Sequence, residues 1–436
     1  MAITAAAAKG SLIGKEVGES PAGYLTIDGT SMANPHDAGA AALLKQQHPE
    51  WGYAELKGAL TGSAKGGPYT PFEQGAGRIA VDKAVKQTVI ADPVSVSFGI
   101  QSWPHTDDEP VTKQLTYRNL GTEDVTLSLA MTAADPKGRP VPDGFFTLGA
   151  TEVTVPAGDM TVNTRLGGTL DGGYSAYVTA TGGGQSVRTA AAVQREVESY
   201  DVTVKHIGWD GKSAAAHDTI LWGYTGRGAF RVYHVPDGSG TTTVRVPKGT
   251  YVLDAWIAKV TTFKGGLDWL VQPKLSVTGN VTVTVDARKA KPADITVPDK
   301  TARQHGATIG YSYDPAMYDV AMPLGSWSQL RTGSIGGDVS GLSQVWSGQW
   351  TKGSSAEYDV VTTAKVKRFQ GGKVRHYAAR ELATVKNSLG AGASGKTGAV
   401  TPLALTGDGL VMADTIEQKL PGTRTLYLST GNGVYL

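Results

Sequence analysis

The sequence predicts a mostly β protein in which a small α/β segment precedes tandem β-sandwich domains. Three observations carry this expectation. The hydrophobic pattern changes from helical spacing to alternation at Ala91-Asp92-Pro93. The composition, with 57 glycines and many Thr and Val, favours short strands and turns. Turn signals then recur at the spacing of a sandwich. At 436 residues the chain is too long for one core and suggests about three or four domains.

Bulk properties narrow the function. A net charge of +2 with 18% charged residues gives no electrostatic case for nucleic acid or a membrane surface as partner. Cysteine is absent, so neither a disulfide framework nor a thiolate metal site is expected. No apolar run reaches the roughly 18 residues of a membrane-spanning helix. Met1–Lys9 has no basic region and too short an apolar stretch for a signal peptide.

In residues 1–90, Gly23–Ile27 reads as a strand that feeds an Asp28-Gly29 turn. The turn delivers Ser31 to the first position of a helix built almost wholly of Ala, Gly and Leu. Such a helix is apolar all round and is expected to be buried. A hydroxyl at its N-terminus sits where free backbone N–H groups and the helix dipole favour negative charge, which suits a nucleophile that generates an oxyanion. A second helix is expected near 53–61, a Gly-rich loop at 62–77 and a last helix near 80–87.

The run Gly29-Thr30-Ser31-Met32-Ala33-Asn34-Pro35-His36-Asp37-Ala38-Gly39 resembles the nucleophile motif of the subtilisin-like serine proteases, Gly-Thr-Ser-Met-Ala-x-Pro-His-x-Ala-Gly, at every fixed position. His48-Pro49-Glu50-Trp51 with Glu55–Leu60 is similar to the family's next loop and helix. Gly75–Val85 is similar to the closing segment of its catalytic domain. The resemblance implies a secreted serine endopeptidase acting on a peptide or protein substrate, with Ser31 as the acylated catalytic residue and with no cofactor. The family's triad runs Asp, His, Ser along the chain. The 30 residues before Ser31 hold no His and one Asp, Asp28. The upstream Asn that donates to the oxyanion in this family is also absent. The expectation is therefore the C-terminal part of a secreted bacterial subtilase, beginning just before the nucleophile motif and inactive alone. An upstream catalytic segment is its expected partner.

Neither neighbouring polar residue replaces the missing base. At about 100 degrees per residue, His36 and Asp37 point off the Ser31 face, and His36 is expected to be structural. Asp37 shares a stripe with Ala33, Ala41 and Leu44. An unpaired carboxylate buried on that stripe would cost several kcal/mol.

Residues 91–197 show Val94, Val96 and Phe98 alternating with Ser95 and Ser97, then Leu115 with Tyr117, and Val125, Leu127 and Leu129. Val153–Gly158 reads as a strand and turn. Pattern and position resemble a fibronectin-III-like β-sandwich. Residues 198–298 open at Ser199–Val204, and Thr243–Trp256 reads as a hairpin with Pro247 at the corner and Gly249 needing positive φ. This segment looks similar to prealbumin-like or carboxypeptidase-regulatory-like modules. Lys291–Asp299 reads as a linker, and 299–436 as a β-rich C-terminal domain.

Trp327, Trp346 and Trp350 fit either a stacking platform or sandwich core. Gly390–Thr397 fits the phosphate-loop pattern, but Gly398, Val400 and Pro402 would break the helix that loop requires, so a Gly/Ser loop is expected. Asp107-Asp108-Glu109 and Asp408 with Asp414 lack a distinctive ligand spacing; no metal is expected. The alternative to the protease is a non-catalytic extracellular β-sandwich binding or accessory protein, with the serine motif a relic.

Overall fold

The computed structural model describes residues 3–155, 159–162, 164–167, 170–258, 266–390, 392, 395–406, 409–412, 414–430 and 434–435. Half of the residues are in strands and 15% in helices, so the protein is mostly β. The chain forms two compact units, Met1–Val197 and Glu198–Leu436.

The first unit opens with β1 (Ile3–Ala6), α1 (Leu12–Val17) and β2 (Tyr24–Ile27), where β1 and β2 pair antiparallel as a two-stranded ribbon. The helices α2 (Thr30–Gln47), α3 (Tyr53–Gly62), α4 (Pro71–Gln74) and α5 (Val81–Ala84) follow. The last is shorter than the sequence suggests, and α1 and β1 were not legible there. Glu55 starts α3 by accepting the Gly52 N–H at 3.0 Å, a side-chain cap that satisfies an end donor. The small residues of α3 let it lie close to the sheet: a Cβ on Gly62 would stand 3.1 Å from Val187. Leu44, Trp51, Ala59, Ala84 and Ile90 form a small core where these helices meet the strands.

The strands of the first sandwich are β3 (Val89–Asp92), β4 (Ser95–Gln101), β5 (Val111–Gln114), β6 (Thr116–Asn119), β7 (Thr126–Ala134), β8 (Phe146–Leu148), β9 (Glu152–Thr154), β10 (Asp159–Val162), β11 (Gly172–Gly182) and β12 (Gln185–Arg195). A five-stranded sheet, β4-β12-β11-β7-β9, stands with a three-stranded sheet, β5-β10-β8, and the β3–β6 pair. The alternation holds: Val96, Phe98, Leu115, Tyr117, Val125 and Leu127 all enter one core. The expected turn at Pro156–Gly158 lies outside the described residues.

The second unit contains β13 (Ser199–Ile207), β14 (His217–Gly223), β15 (Val232–Val235), β16 (Thr241–Pro247), β17 (Gly249–Ala258), β18 (Leu267–Val277), β19 (Val281–Asp286), β20 (Lys291–Pro292), β21 (Asp294–Thr296), β22 (Arg303–Tyr313), β23 (Tyr318–Leu324), β24 (Leu330–Ser334), β25 (Leu342–Lys352), β26 (Ala356–Val366), β27 (Val374–His376) and β28 (Leu382–Leu389). Its sheets stack in three layers. The middle sheet, β15-β14-β17-β18-β24-β20, is covered on both faces. Leu253, Leu270 and Leu275 meet β13, β16 and β19 on one side. Val252, Trp269 and Val271 meet β22, β25 and β26 on the other. Period-2 side-chain alternation thus sends neighbouring apolar residues of β17 and β18 into two different cores.

Three expectations are corrected here. Thr243–Trp256 is not a hairpin: β16 pairs with β13, whereas β17 pairs with β14 and β18. The chain switches sheets at Lys248. Gly249 has no positive φ; what requires glycine there is the Thr225 carbonyl oxygen, 2.4 Å from where a Cβ would stand. The 291–299 stretch is not a free linker, because β20 pairs with β24 and β21 with β27. Trp327, Trp346 and Trp350 are all buried in one core, which excludes an open stacking platform. Thr397–Gly398 pairs with Gln418–Lys419 as strand, so no helix follows the phosphate-loop-like stretch. Residues 391, 393 and 394 of that stretch, and Asp408, lie outside the described residues.

Candidate active-site segment

Ser31 is the second residue of α2, one place later than the sequence suggested, and it is exposed. Met32 and Ala33 N–H both donate to the Gly29 carbonyl, at 3.1 and 3.3 Å. Among the described residues neither the Ser31 hydroxyl nor its backbone N–H has a hydrogen-bond partner. Pro35, whose part sequence reasoning overlooked, lies inside the helix four residues after Ser31. It lacks the N–H that would bond the Ser31 carbonyl, and its ring crowds that carbonyl. The first turn of α2 therefore carries Ser31 with its hydroxyl, N–H and carbonyl all outside the helical ladder.

His36 does not face Ser31. Its Nδ1 donates to the Met32 carbonyl at 2.8 Å, so the ring braces its own helix. The first unit holds two more histidines, and both are engaged elsewhere. His48 stacks on Trp51 with ring centroids 3.9 Å apart, at the far end of α2. The buried His105 ring lies 2.8 Å from Asp108 through Nδ1 and 2.7 Å from the Glu196 carbonyl through Nε2. No imidazole in this unit is placed to take a proton from Ser31.

The expectation that α2 is buried is corrected. Only Ala40 and Leu44 are buried on this 18-residue helix, and Ala33, Ala38, Gly39, Ala42 and Leu43 are exposed. Its composition would suit cover on several sides, yet its buried residues lie on one stripe, where Leu44 packs with Trp51 and Ala59. Asp37 is likewise exposed, so its carboxylate stays in water and carries no burial cost. Beside it runs a groove of about 820 Å³ whose walls include Asp37, Ala41, Tyr53, Leu56 and Leu60. No helix among the described residues is long and apolar enough to cross a membrane.

The motif, set at the head of an Ala-rich helix, resembles the nucleophile segment of serine proteases, and comparison with known proteins finds the same likeness. Residues 5–77 match the Subtilase family. The minor extracellular protease Vpr of Bacillus subtilis (strain 168) is 29% identical over 184 residues, 39% of this chain and 21% of the relative. The subtilisin-like protease SBT1.7 of Arabidopsis thaliana is 40% identical over 80 residues, 15% of this chain and 11% of the relative. The chain thus spans about a tenth to a fifth of the length of these two relatives. Among solved structures, the Bacillus anthracis TIE protein aligns over 80% of this chain and 70% of its own at 8% identity, with a TM-score of 0.17.

Proposed function

We propose that this chain is the nucleophile-bearing C-terminal part of a subtilisin-like serine endopeptidase that acts outside the cell on peptide or protein substrates. The observation that carries the reading is Ser31 itself, held at the head of α2 with hydroxyl and N–H both unengaged. Ser31 Oγ would attack the scissile carbonyl to give an acyl-enzyme that water then hydrolyses. The Ser31 N–H would face the developing oxyanion. The general base, its orienting carboxylate and a side-chain oxyanion donor would come from an upstream catalytic segment, in keeping with the small share of each relative that this chain spans. The exposed small-residue faces of α2 and the groove beside Asp37 suit a surface on which such a segment packs. The β domains would serve as accessory modules.

The test is active-site labelling with a fluorophosphonate. The chain alone should label no faster than its Ser31→Ala variant, because loss of the base in such a triad costs on the order of a million-fold in turnover. Joined to, or mixed with, the upstream segment of a subtilase, it should gain labelling that Ser31→Ala abolishes. Equal labelling and equal casein hydrolysis by the complemented Ser31→Ala variant would overturn the reading. It would favour the non-catalytic binding protein instead.

A further inference from the structure

The first unit contains a second pocket, apart from the groove beside Asp37. It holds about 310 Å³ between the Gly67–Pro71 segment and the outer face of the five-stranded sheet. Register explains its floor. Thr132 of β7 stands opposite Tyr177 of β11, and Ala134 opposite Ser175, so alternate residues of both strands face outward together. Tyr69 and Pro71 form the roof.

Arg188 of β12 lines this pocket. Its guanidinium lies flat on the Tyr177 ring, 3.4 Å from the centroid, and one of its nitrogens donates to the Ala76 carbonyl at 2.9 Å. It crosses Gly66 so closely that a Cβ there would stand 1.6 Å from Nη1. The group is therefore fixed in place by an aromatic face, a backbone carbonyl and a glycine. Yet among the described residues no carboxylate pairs with it. The nearby acids are occupied: Glu73 accepts from the Thr70 N–H and hydroxyl, and Asp135 from Arg139. A half-buried, immobilised and unneutralised guanidinium at a pocket of ligand size is an anion receptor, with N–H groups in a planar fork that matches a carboxylate. The remaining walls are the rings of Tyr69, Pro71 and Tyr177 and small side chains, with aliphatic hydroxyls on Thr70, Thr132 and Ser175. That lining suits short peptide side chains and amides better than a bare inorganic ion.

We propose that this pocket binds the free C-terminal carboxylate of a short peptide, with Arg188 as the carboxylate partner. The proposal stands independently of the endopeptidase reading. It is tested on the full chain by calorimetric titration with acetyl-Ala-Ala-Ala as the free acid, as its C-terminal amide, and with inorganic phosphate. The acid should bind with a Kd of about 1 mM, as expected of a single bidentate ion pair with a few apolar contacts. The amide should bind at least about tenfold more weakly, having lost the charge-assisted pair. Acid binding should be level between about pH 5 and 9, where the peptide carboxyl is fully ionised. It should fall below about pH 4, where the peptide carboxyl takes up its proton. Arg188→Gln should abolish binding. Because Arg188 also braces the loop, Thr132→Trp serves as the second variant, filling the pocket with the guanidinium intact, and it too should abolish binding. Equal binding of acid and amide overturns the proposal, as does tighter binding of phosphate than of the acid. So does undiminished binding by Thr132→Trp, or no heat from the acid at ten times the expected Kd.

Discussion

Asp254 of β17 accepts a hydrogen bond from the hydroxyl of Tyr311 of β22 at 2.6 Å, and this contact ties the middle sheet of the second unit to the outer one. Trp269 Nε1 donates to the other carboxylate oxygen, also at 2.6 Å. The carboxyl is fully buried, and burial outweighs the three donors around it, Tyr311, Trp269 and Tyr318, so its pKa is pushed up to about 6. In the unfolded chain it titrates near 3.9. Between those values the folded chain holds a proton that the unfolded chain has lost. Stability contributed by this group therefore falls as pH rises through that window. The span is worth about 3 kcal/mol.

Asp254→Asn keeps an oxygen for Tyr311 but cannot ionise. Wild type should lose stability relative to Asp254→Asn between about pH 4 and 6, with the difference level above that range. Urea unfolding followed at pH 4, 5, 6 and 7 measures it. Parallel stability profiles for the two proteins would mean that Asp254 does not titrate in the fold.

A second buried pair acts in the opposite sense. The rings of His206 on β13 and His217 on β14 stack at 3.5 Å, 10° from parallel, across the two sheets that the intervening loop joins. His206 Nε2 meets the Thr219 hydroxyl at 2.9 Å, and His217 Nε2 the Ser239 carbonyl at 3.0 Å. Burial first, and then the neighbouring His217, push the His206 pKa down to about 3. The folded ring stays neutral where the unfolded one, near 6.5, takes up a proton. Stability is thus fully present above about pH 6.5 and is lost as pH falls toward 3. His206→Phe keeps a flat ring in the stack and removes the titration. The variant should tolerate acid better than wild type between about pH 6 and 4, as read by the melting temperature at each pH. A variant that loses as much as wild type over that range would exclude the pair as the acid-sensitive element.

What was legible in the sequence was local. The Ser31 motif is contiguous, and its strand, turn and helix need only neighbouring residues to be read. The alternation from Val94 to Leu129 likewise names its own core face. The misreadings all depend on distant partners. Val246-Pro247-Lys248-Gly249 has the chemistry of a hairpin turn, but whether its strands pair is decided by β13, β14 and β18. The Ala-rich face of α2 shows what the helix would bury, not what covers it. Trp327, Trp346 and Trp350 carry no sequence mark of the middle sheet that packs over them. Arg188 gave no signal, because its pocket is assembled from loop, helix and sheet segments far apart in the chain.

Two glycines separate the packed from the unpacked helix. Gly58 of α3 lies against Ile90 of β3, where an added Cβ would stand 2.8 Å from the Ile90 Cβ. The Ile90 Cβ is fixed to the strand and cannot swing away, so Gly58→Ala forces α3 off the sheet. Overpacking of this kind costs about 1–3 kcal/mol, against the roughly 1 kcal/mol that alanine gains over glycine inside a helix. The net effect should be a loss of up to about 2 kcal/mol, or a melting temperature of the first unit lower by roughly 4–8 °C at the upper end. Gly39 of α2 sits equally deep in its helix, yet nothing lies within 4 Å of its added Cβ. Gly39→Ala should therefore show the propensity gain alone, a rise of about 2–4 °C. Calorimetry of the two single variants reads both signs in one experiment. A Gly39→Ala variant that melts lower than wild type would show that the small-residue face of α2 is already covered in the chain alone. That result would remove the packing surface on which an upstream catalytic segment is proposed to dock.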